Sequence, residues 1–173
     1  MSLKRVVQAA VAMTVAAFAL NAGAQQPNPL DNVPDKMPND IPYGAPISLD
    51  HAEAAINAAV AESRKRGWKL NVAVVDSGGN LVAFQRMDGA LLASIAIAEH
   101  KARAAATFRR ETKAFEAGIQ GGNNYLITLD GLIGSRGGIP LLEGGKLIGA
   151  IGCSGGTGSQ DEVVCKAGAA TVK

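Results

Sequence analysis

Asn71–Ala106 reads NVAVVDSGGNLVAFQRMDGALLASIAIAEHKARAAA, and its pattern decides the fold. Two strand-like runs, Asn71–Val75 and Leu81–Arg86, flank the cluster Asp76-Ser77-Gly78-Gly79-Asn80. Such a cluster reverses the chain, because glycine accepts positive φ without a Cβ clash. Met87-Asp88-Gly89-Ala90 breaks the second strand, and an alanine-rich helical pattern follows from about Ser94 to Arg109. Leu70–Val75 and Leu81–Phe84 are apolar on both alternations. That predicts strands covered on both faces, or covered on one face and packed in an oligomer on the other. The alanines let neighbouring backbones approach closely, between layers or between subunits.

Upstream of this stretch, Ser48 is the expected N-cap of a first helix. Its apolar residues Ala52, Ala55, Ile56, Ala59 and Val60 recur at helical spacing. Asp50 and Glu53 near its start and Arg64, Lys65 and Arg66 at its end suit the helix dipole, and Gly67 stops it. Downstream, Thr112–Ala117 reads as a short helix ended by Gly118, and Tyr125–Leu129 as a strand. Ile139–Glu143 and Lys146–Cys153 form a second hairpin across Gly144-Gly145, a dipeptide suited to a primed turn. Ser159 and Glu162 have capping-box spacing at the start of a last helix that runs to about Thr171. The expected fold is α+β: an antiparallel sheet of about five strands with helices packed on it.

Three blocks carry a family resemblance. They are YGAPISLDHAEAAI, then VAVVDSGGNLVAFQRMDGA with the helix containing HKARAAATFRR, then RGGIPLLEGGKLIGAIGCSGGTGSQDEVVCKAGAA. Together they span about Tyr43 to Ala170, and the chain resembles the GlcG/HbpS-like haem-binding family, itself similar to the C-terminal domain of PduO-type proteins. The resemblance implies the profilin-like version of the fold, assembly into homo-oligomers, and haem or a related tetrapyrrole as ligand.

The first residues have the layout of a secretory signal: Lys4-Arg5, an apolar run from Val6 to Leu20, and Ala22-Gly23-Ala24 before a cut at Gln25. The apolar run is shorter than the ~20 residues of a spanning helix, so no stable membrane anchor is expected. The expected organisation is a leader at 1–24, a Pro-rich arm at 25–46 and the folded domain at 47–173, in a periplasmic or secreted protein. Six of the seven prolines lie in that arm, which is either a plain linker or an extension that docks on a neighbouring subunit. The chain has 17 basic and 15 acidic residues, and loss of Lys4 and Arg5 leaves 15 of each. Zero net charge argues against a nucleic-acid partner, and one Trp, two Tyr and four Phe give no stacking platform for single strands.

Cys153 and Cys165 are either a disulfide or two buried small apolar side chains. Cys153 ends a strand and Cys165 lies on the following helix, where a layer spacing of ~10 Å leaves little slack against the ~7 Å Cα limit for a bridge.

The best site candidates are two glycine-rich loops. Arg136-Gly137-Gly138 precedes one strand, and Ser154-Gly155-Gly156-Thr157-Gly158 leads from another into a helix N-terminus. Their backbone N–H groups suit a carboxylate or a haem propionate, or they are merely tight turns. His100, Lys101 and Arg103 lie on the alanine-rich helix. Haem needs an axial donor and cations for its propionates: His100 is the candidate for the first, with a Met or hydroxyl donor as the alternative, and Lys101 and Arg103 are candidates for the second. The same three residues also fit an ordinary solvated face. Arg86 and Asp88 form a turn-fixing ion pair or, with Lys101, the edge of a pocket. No catalytic residue is assigned: the chain has two histidines, no G-x-S-x-G elbow, no H-E-x-x-H and no C-x-x-C. The reading is an exported, oligomeric binding protein for haem or another small anionic ligand. The alternatives are an enzyme acting on a small organic acid and a non-catalytic assembly scaffold.

Overall fold

Valine at alternate positions and small residues between them let β1 (Asn71–Asp76) pack against a different layer on each face. Val72 and Val74 enter one core, and Ala73 and Val75 enter the other. The computed structural model describes residues 32–173, of which 38–173 form one compact unit. The expected leader and the first part of the arm lie outside the described residues. The elements are α1 (Leu49–Lys65), β1, β2 (Leu81–Arg86), α2 (Ser94–Thr107), α3 (Lys113–Gln120), a 3-10 turn (Asn124–Thr128), β3 (Gly138–Glu143), β4 (Lys146–Ser154) and α4 (Gly158–Ala169). The strands form one antiparallel sheet in the order β2-β1-β4-β3. Helices α1 and α4 cover one face, and α2 covers β1, β4 and β3 on the other.

The local signals at the hairpin and first helix give the elements they predict. Ser48 caps α1 by accepting the backbone N–H of His51 at 3.3 Å, and Gly67 after α1 takes φ +69. Asp76 Oδ1 accepts the N–H groups of Gly78 and Asn80 and closes the β1–β2 turn. Alanine on α2 does what its size permits. A Cβ on Gly152 would collide with the Ala98 carbonyl and the Ala102 amide, so helix and sheet meet backbone to backbone.

Several expectations are corrected. The sheet has four strands, not five, because residues 124–128 form a 3-10 turn. There Leu126 packs on α3, leaving 2.6 Å between its Cδ1 and a Cβ built on Gly118, while Tyr125, Ile127 and Leu129 stay exposed. Gly118 therefore lies inside α3 as a packing residue rather than ending it. β2 is not covered on both faces. It is the sheet edge and only partly covered: Leu81 is 48% exposed, while Val82 and Ala83 pack against the α1-side core and Phe84 against the α2-side one. The box that starts α4 is Thr157 and Gln160, not Ser159 and Glu162.

The cysteines are joined: Cys153 and Cys165 form a disulfide with Cα atoms 5.6 Å apart. The layer-spacing estimate fails because the loop from Ser154 to Thr157 is short and because α4 is drawn in at Gly168, where a Cβ would come within 2.6 Å of the Ala55 carbonyl oxygen and of Ile151 Cδ1. The end of the arm docks on its own chain. Gly44 N–H donates to Leu147 O at 2.7 Å and Ile47 N–H to Ile148 O at 2.8 Å, along the stretch of β4 where β1 has ended. Arg109 donates to the Ile41 carbonyl at 2.8 Å and lies over the Tyr43 ring.

Candidate functional site

The glycine loops and α2 do meet, at the end of the sheet where β4 stops. Lys101 Nζ donates to Asp161 Oδ2 at 2.7 Å and to the Cys153 carbonyl at 3.2 Å. Asp161 Oδ1 accepts the Gly156 N–H at 3.0 Å. Gly137, at φ +111, closes over them: a Cβ there would stand 2.8 Å from the Asp161 Cβ and 3.3 Å from Lys101 Nζ. Gly138 N–H bonds Thr112 Oγ1 at 2.9 Å, and the Lys101 carbonyl occupies the space of its missing side chain. Ser154 is buried beside them.

This cluster is sealed. Lys101 is 1% exposed and Asp161 2%. Burial holds the Asp161 carboxyl above its usual range and outweighs the Lys101 charge beside it. Lys101 is thus a core cation with its own counter-ion, not one facing a ligand. The anion-binding field expected at the start of α4 is also satisfied from within. Gly156 N–H serves Asp161, and Thr157 N–H donates to Gln160 Oε1 at 2.8 Å.

The remaining cations divide between fastening and open roles. Arg136 is a tie between α3 and α4: its guanidinium lies 2.6 Å from Glu116 and 3.4 Å from Glu162. The Arg136 hydrogen bond holds Glu116 below its ordinary range. Burial pushes Glu162 up, but Lys166 and Lys113 bond it and bring it down. His100 is half-buried, with Nε2 3.2 Å from the Gly131 carbonyl. Arg103 is exposed and donates to the Gly79 carbonyl at 3.2 Å. Each fastens a turn to α2, and neither lines the clefts described next.

The open site lies past the C-terminal end of α1, against the exposed edge of β2. A cleft of about 330 Å³ is lined there by Arg64, Trp68, Lys69, Arg86, Met87 and Asp88, among others. A second, of about 310 Å³, shares Gly67, Trp68 and Lys69 with it and reaches Gly155 and Gly156. Of the residues singled out in the sequence, Arg86 and Asp88 line the first cleft, and Gly155 and Gly156 line the second. Arg86 and Asp88 are exposed and make no ion pair with each other. Three cations against one carboxylate make the rim of the first cleft positive. The Trp68 ring supplies an apolar wall, with the Arg66 guanidinium 5.1 Å from its centroid. Sequence reading missed Arg64, Trp68, Lys69 and Met87. The signal available was RKRGWK, where basic residues continue past the helix stop into the only tryptophan.

Behind the rim, Arg86, Asn71 and Ser154 stand in one register row across β2, β1 and β4. Asn71 donates to the Leu91 carbonyl at 2.9 Å and pins the turn leading to α2, while its buried Oδ1 has no partner. No group of three or more metal-ligating side chains occurs among the described residues, and no described helix is long and apolar enough to cross a membrane.

Residues 47–170 match the model of a family described as haem degrading protein HbpS-like. GlcG of Escherichia coli K12 is 41% identical over 108 residues, which cover 62% of this chain and 81% of GlcG. A double mutant of Streptomyces reticuli HbpS is similar in structure, with a TM-score of 0.70 and 29% identity over 82% of this chain and 97% of its own. A PduOC–haem complex matches with a TM-score of 0.68 and 26% identity, covering 75% of this chain and 96% of that one.

Proposed function

Because the chain belongs to the HbpS-like family, we propose that it binds haem or a related tetrapyrrole in the cleft between the end of α1 and the edge of β2. The observation that carries this reading is the lining of that cleft. An indole wall and a thioether lie among three cations, Arg64, Lys69 and Arg86. A tetrapyrrole with acidic side chains asks for that combination of apolar surface, cations and an iron donor. Arginine suits the propionates because its planar fork pairs carboxylates two bonds at a time. When bound, haem supplies a redox-active iron. The chain supplies orientation and charge balance: Arg64 and Arg86 hold the carboxylates and Trp68 flanks the macrocycle. Gly89, at φ +75, leaves room for Lys69 to fold across the turn, its Nζ 3.1 Å from where a Cβ would stand.

The proposal includes export and assembly. The signal-like layout of residues 1–24 and the Cys153–Cys165 disulfide both suit an oxidising compartment. Leu91, Leu92, Tyr125, Ile127 and Leu129 are exposed and give a second copy apolar surface to cover.

Titration of the purified apo-protein with hemin tests the central reading. The expected result is a shifted Soret band that saturates and is weakened by Arg64→Ala with Arg86→Ala. Absorbance that merely follows added hemin without saturation refutes it. Adding reductant under oxygen separates binding from breakdown: a stable Soret band fits a binding protein, and bleaching assigns the degrading activity in the family's description. Mature protein beginning at Gln25 supports export, and cytosolic protein retaining Met1 refutes it.

A further inference from the structure

We infer that Met87 is the axial donor to the haem iron, an assignment that rests on the haem reading above. Met87 sits where β2 ends. Its backbone N–H donates to the Leu70 carbonyl at 3.2 Å, and its own carbonyl accepts the Ala90 N–H at 3.0 Å. The residue is therefore fixed on both sides of its Cα by the rigid β1–β2 edge and by the turn that follows. Its side chain is half-buried. It packs against the core under α1, and the residue borders the first cleft.

The chemistry of the other lining residues leaves the thioether as the donor. Arg64 and Arg86 have no lone pair to give, and Gln85 offers only a hard amide oxygen. The Lys69 ammonium must lose a proton before it can donate, and it is folded against the Gly89 turn. Asp88 is an exposed carboxylate, a hard ligand that would also cancel part of the positive rim. Neither histidine lines the cleft. His100 is tied to Gly131, and His51 stands at the opposite end of α1, 13 residues from Arg64 and so about 20 Å away along the helix. Methionine brings a soft sulfur lone pair and no charge, so the three cations remain for the propionates. The bond formed is dative, with no change of oxidation state on either partner. Methionine ligation raises the reduction potential of haem iron.

The test compares hemin-loaded wild-type protein with Met87→Leu, which nearly conserves volume, and with His100→Ala. In the ferric wild type a weak near-infrared sulfur-to-iron charge-transfer band is expected. It is lost in Met87→Leu, where the midpoint potential also falls, and is kept in His100→Ala. Binding of metal-free protoporphyrin, which needs no axial donor, stays the same in wild type and Met87→Leu and reports an intact cleft. A second measurement needs no variant: with ¹³C-methyl-methionine labelling, the Met87 methyl resonance moves far upfield in the ferrous complex. Saturable hemin binding with no charge-transfer band and no shifted methyl discards Met87 and keeps haem. Loss of the band in His100→Ala likewise discards Met87 as the donor. Absence of any saturable hemin binding by the wild type overturns both readings together.

Discussion

Cutting the Lys101–Asp161 pair on one side has a predictable and large cost. In Asp161→Asn the amide oxygen can keep the Gly156 N–H bond now made by Oδ1. The atom that faces Lys101 becomes an NH₂ group. The ammonium, 1% exposed, then keeps only the Cys153 carbonyl at 3.2 Å. Removing one partner of a buried pair costs about 3–5 kcal/mol, because the other charge stays behind unpaired. Lys101→Met is expected to cost a similar amount by stranding the carboxylate. For a chain of this size that lowers Tm by roughly 10 °C or more. The double variant Lys101→Met/Asp161→Asn leaves no buried charge and keeps the Gly156 bond. Its loss is expected to fall short of the summed single losses by about 2 kcal/mol or more. The assay is equilibrium urea unfolding of the four proteins at neutral pH. Single losses below about 1 kcal/mol, or a double loss equal to the sum, would refute the claim that this pair is a sealed core element.

Three other outcomes follow from the packing and the charges. Thiol titration of unfolded, unreduced protein finds no free cysteine, and Cys153→Ala/Cys165→Ala lowers the urea-derived stability by roughly 3 kcal/mol, the entropy of a short closed loop. Gly152→Ala forces α2 off the sheet, and a loss of about 3 kcal/mol or insoluble expression is expected, read by urea unfolding and by soluble yield. The pH dependence has a stated sign. Glu116 is held below its ordinary 4.5 by the Arg136 hydrogen bond, so its contribution is full above 4.5 and is lost as pH falls through the lower folded value. Asp161 runs the other way. Burial raises it above 3.8, so its linkage favours folding below 3.8 and fades as pH rises through the folded value. Glu116→Gln should therefore flatten the acid limb of a stability–pH curve below 4.5, and an unchanged limb would contradict the Arg136 assignment.

What is legible in the sequence is local. Ser48, Gly67 and the Asp76–Asn80 turn each satisfy neighbours within a few residues, so their chemistry can be read without the rest of the chain. Alanine content foretells the close approach of α2, though not that Gly152 receives it. The 124–128 segment misleads because its apolar alternation suits a strand as well as a turn with one side chain docked on α3. The face of α2 misleads for a geometric reason. His100, Lys101 and Arg103 look like one cationic surface, yet successive helical residues are about 100° apart. Ala98, Lys101, Ala102 and Ala105 follow the i, i+3, i+4, i+7 pattern of a buried stripe, and all four are buried. The lysine is thus marked as internal by its spacing. What the spacing cannot supply is its partner, since Asp161 lies 60 residues away.

The location of the open site follows from the same packing. Between α2 and the sheet, Gly138 and Gly152 bring backbone onto backbone, and no room remains for a ligand. On the other face Gly168 draws α4 against α1, and the disulfide fastens α4 to β4. The charges inside are already matched: Lys101 by Asp161, Arg136 by Glu116 and Glu162. An anionic ligand must therefore meet cations that lie outside this packing, and Arg64, Lys69 and Arg86 lie past the C-terminal end of α1 beside the edge strand β2. β2 is the sheet edge, with no further strand beyond it among the described residues, and the cleft borders that edge.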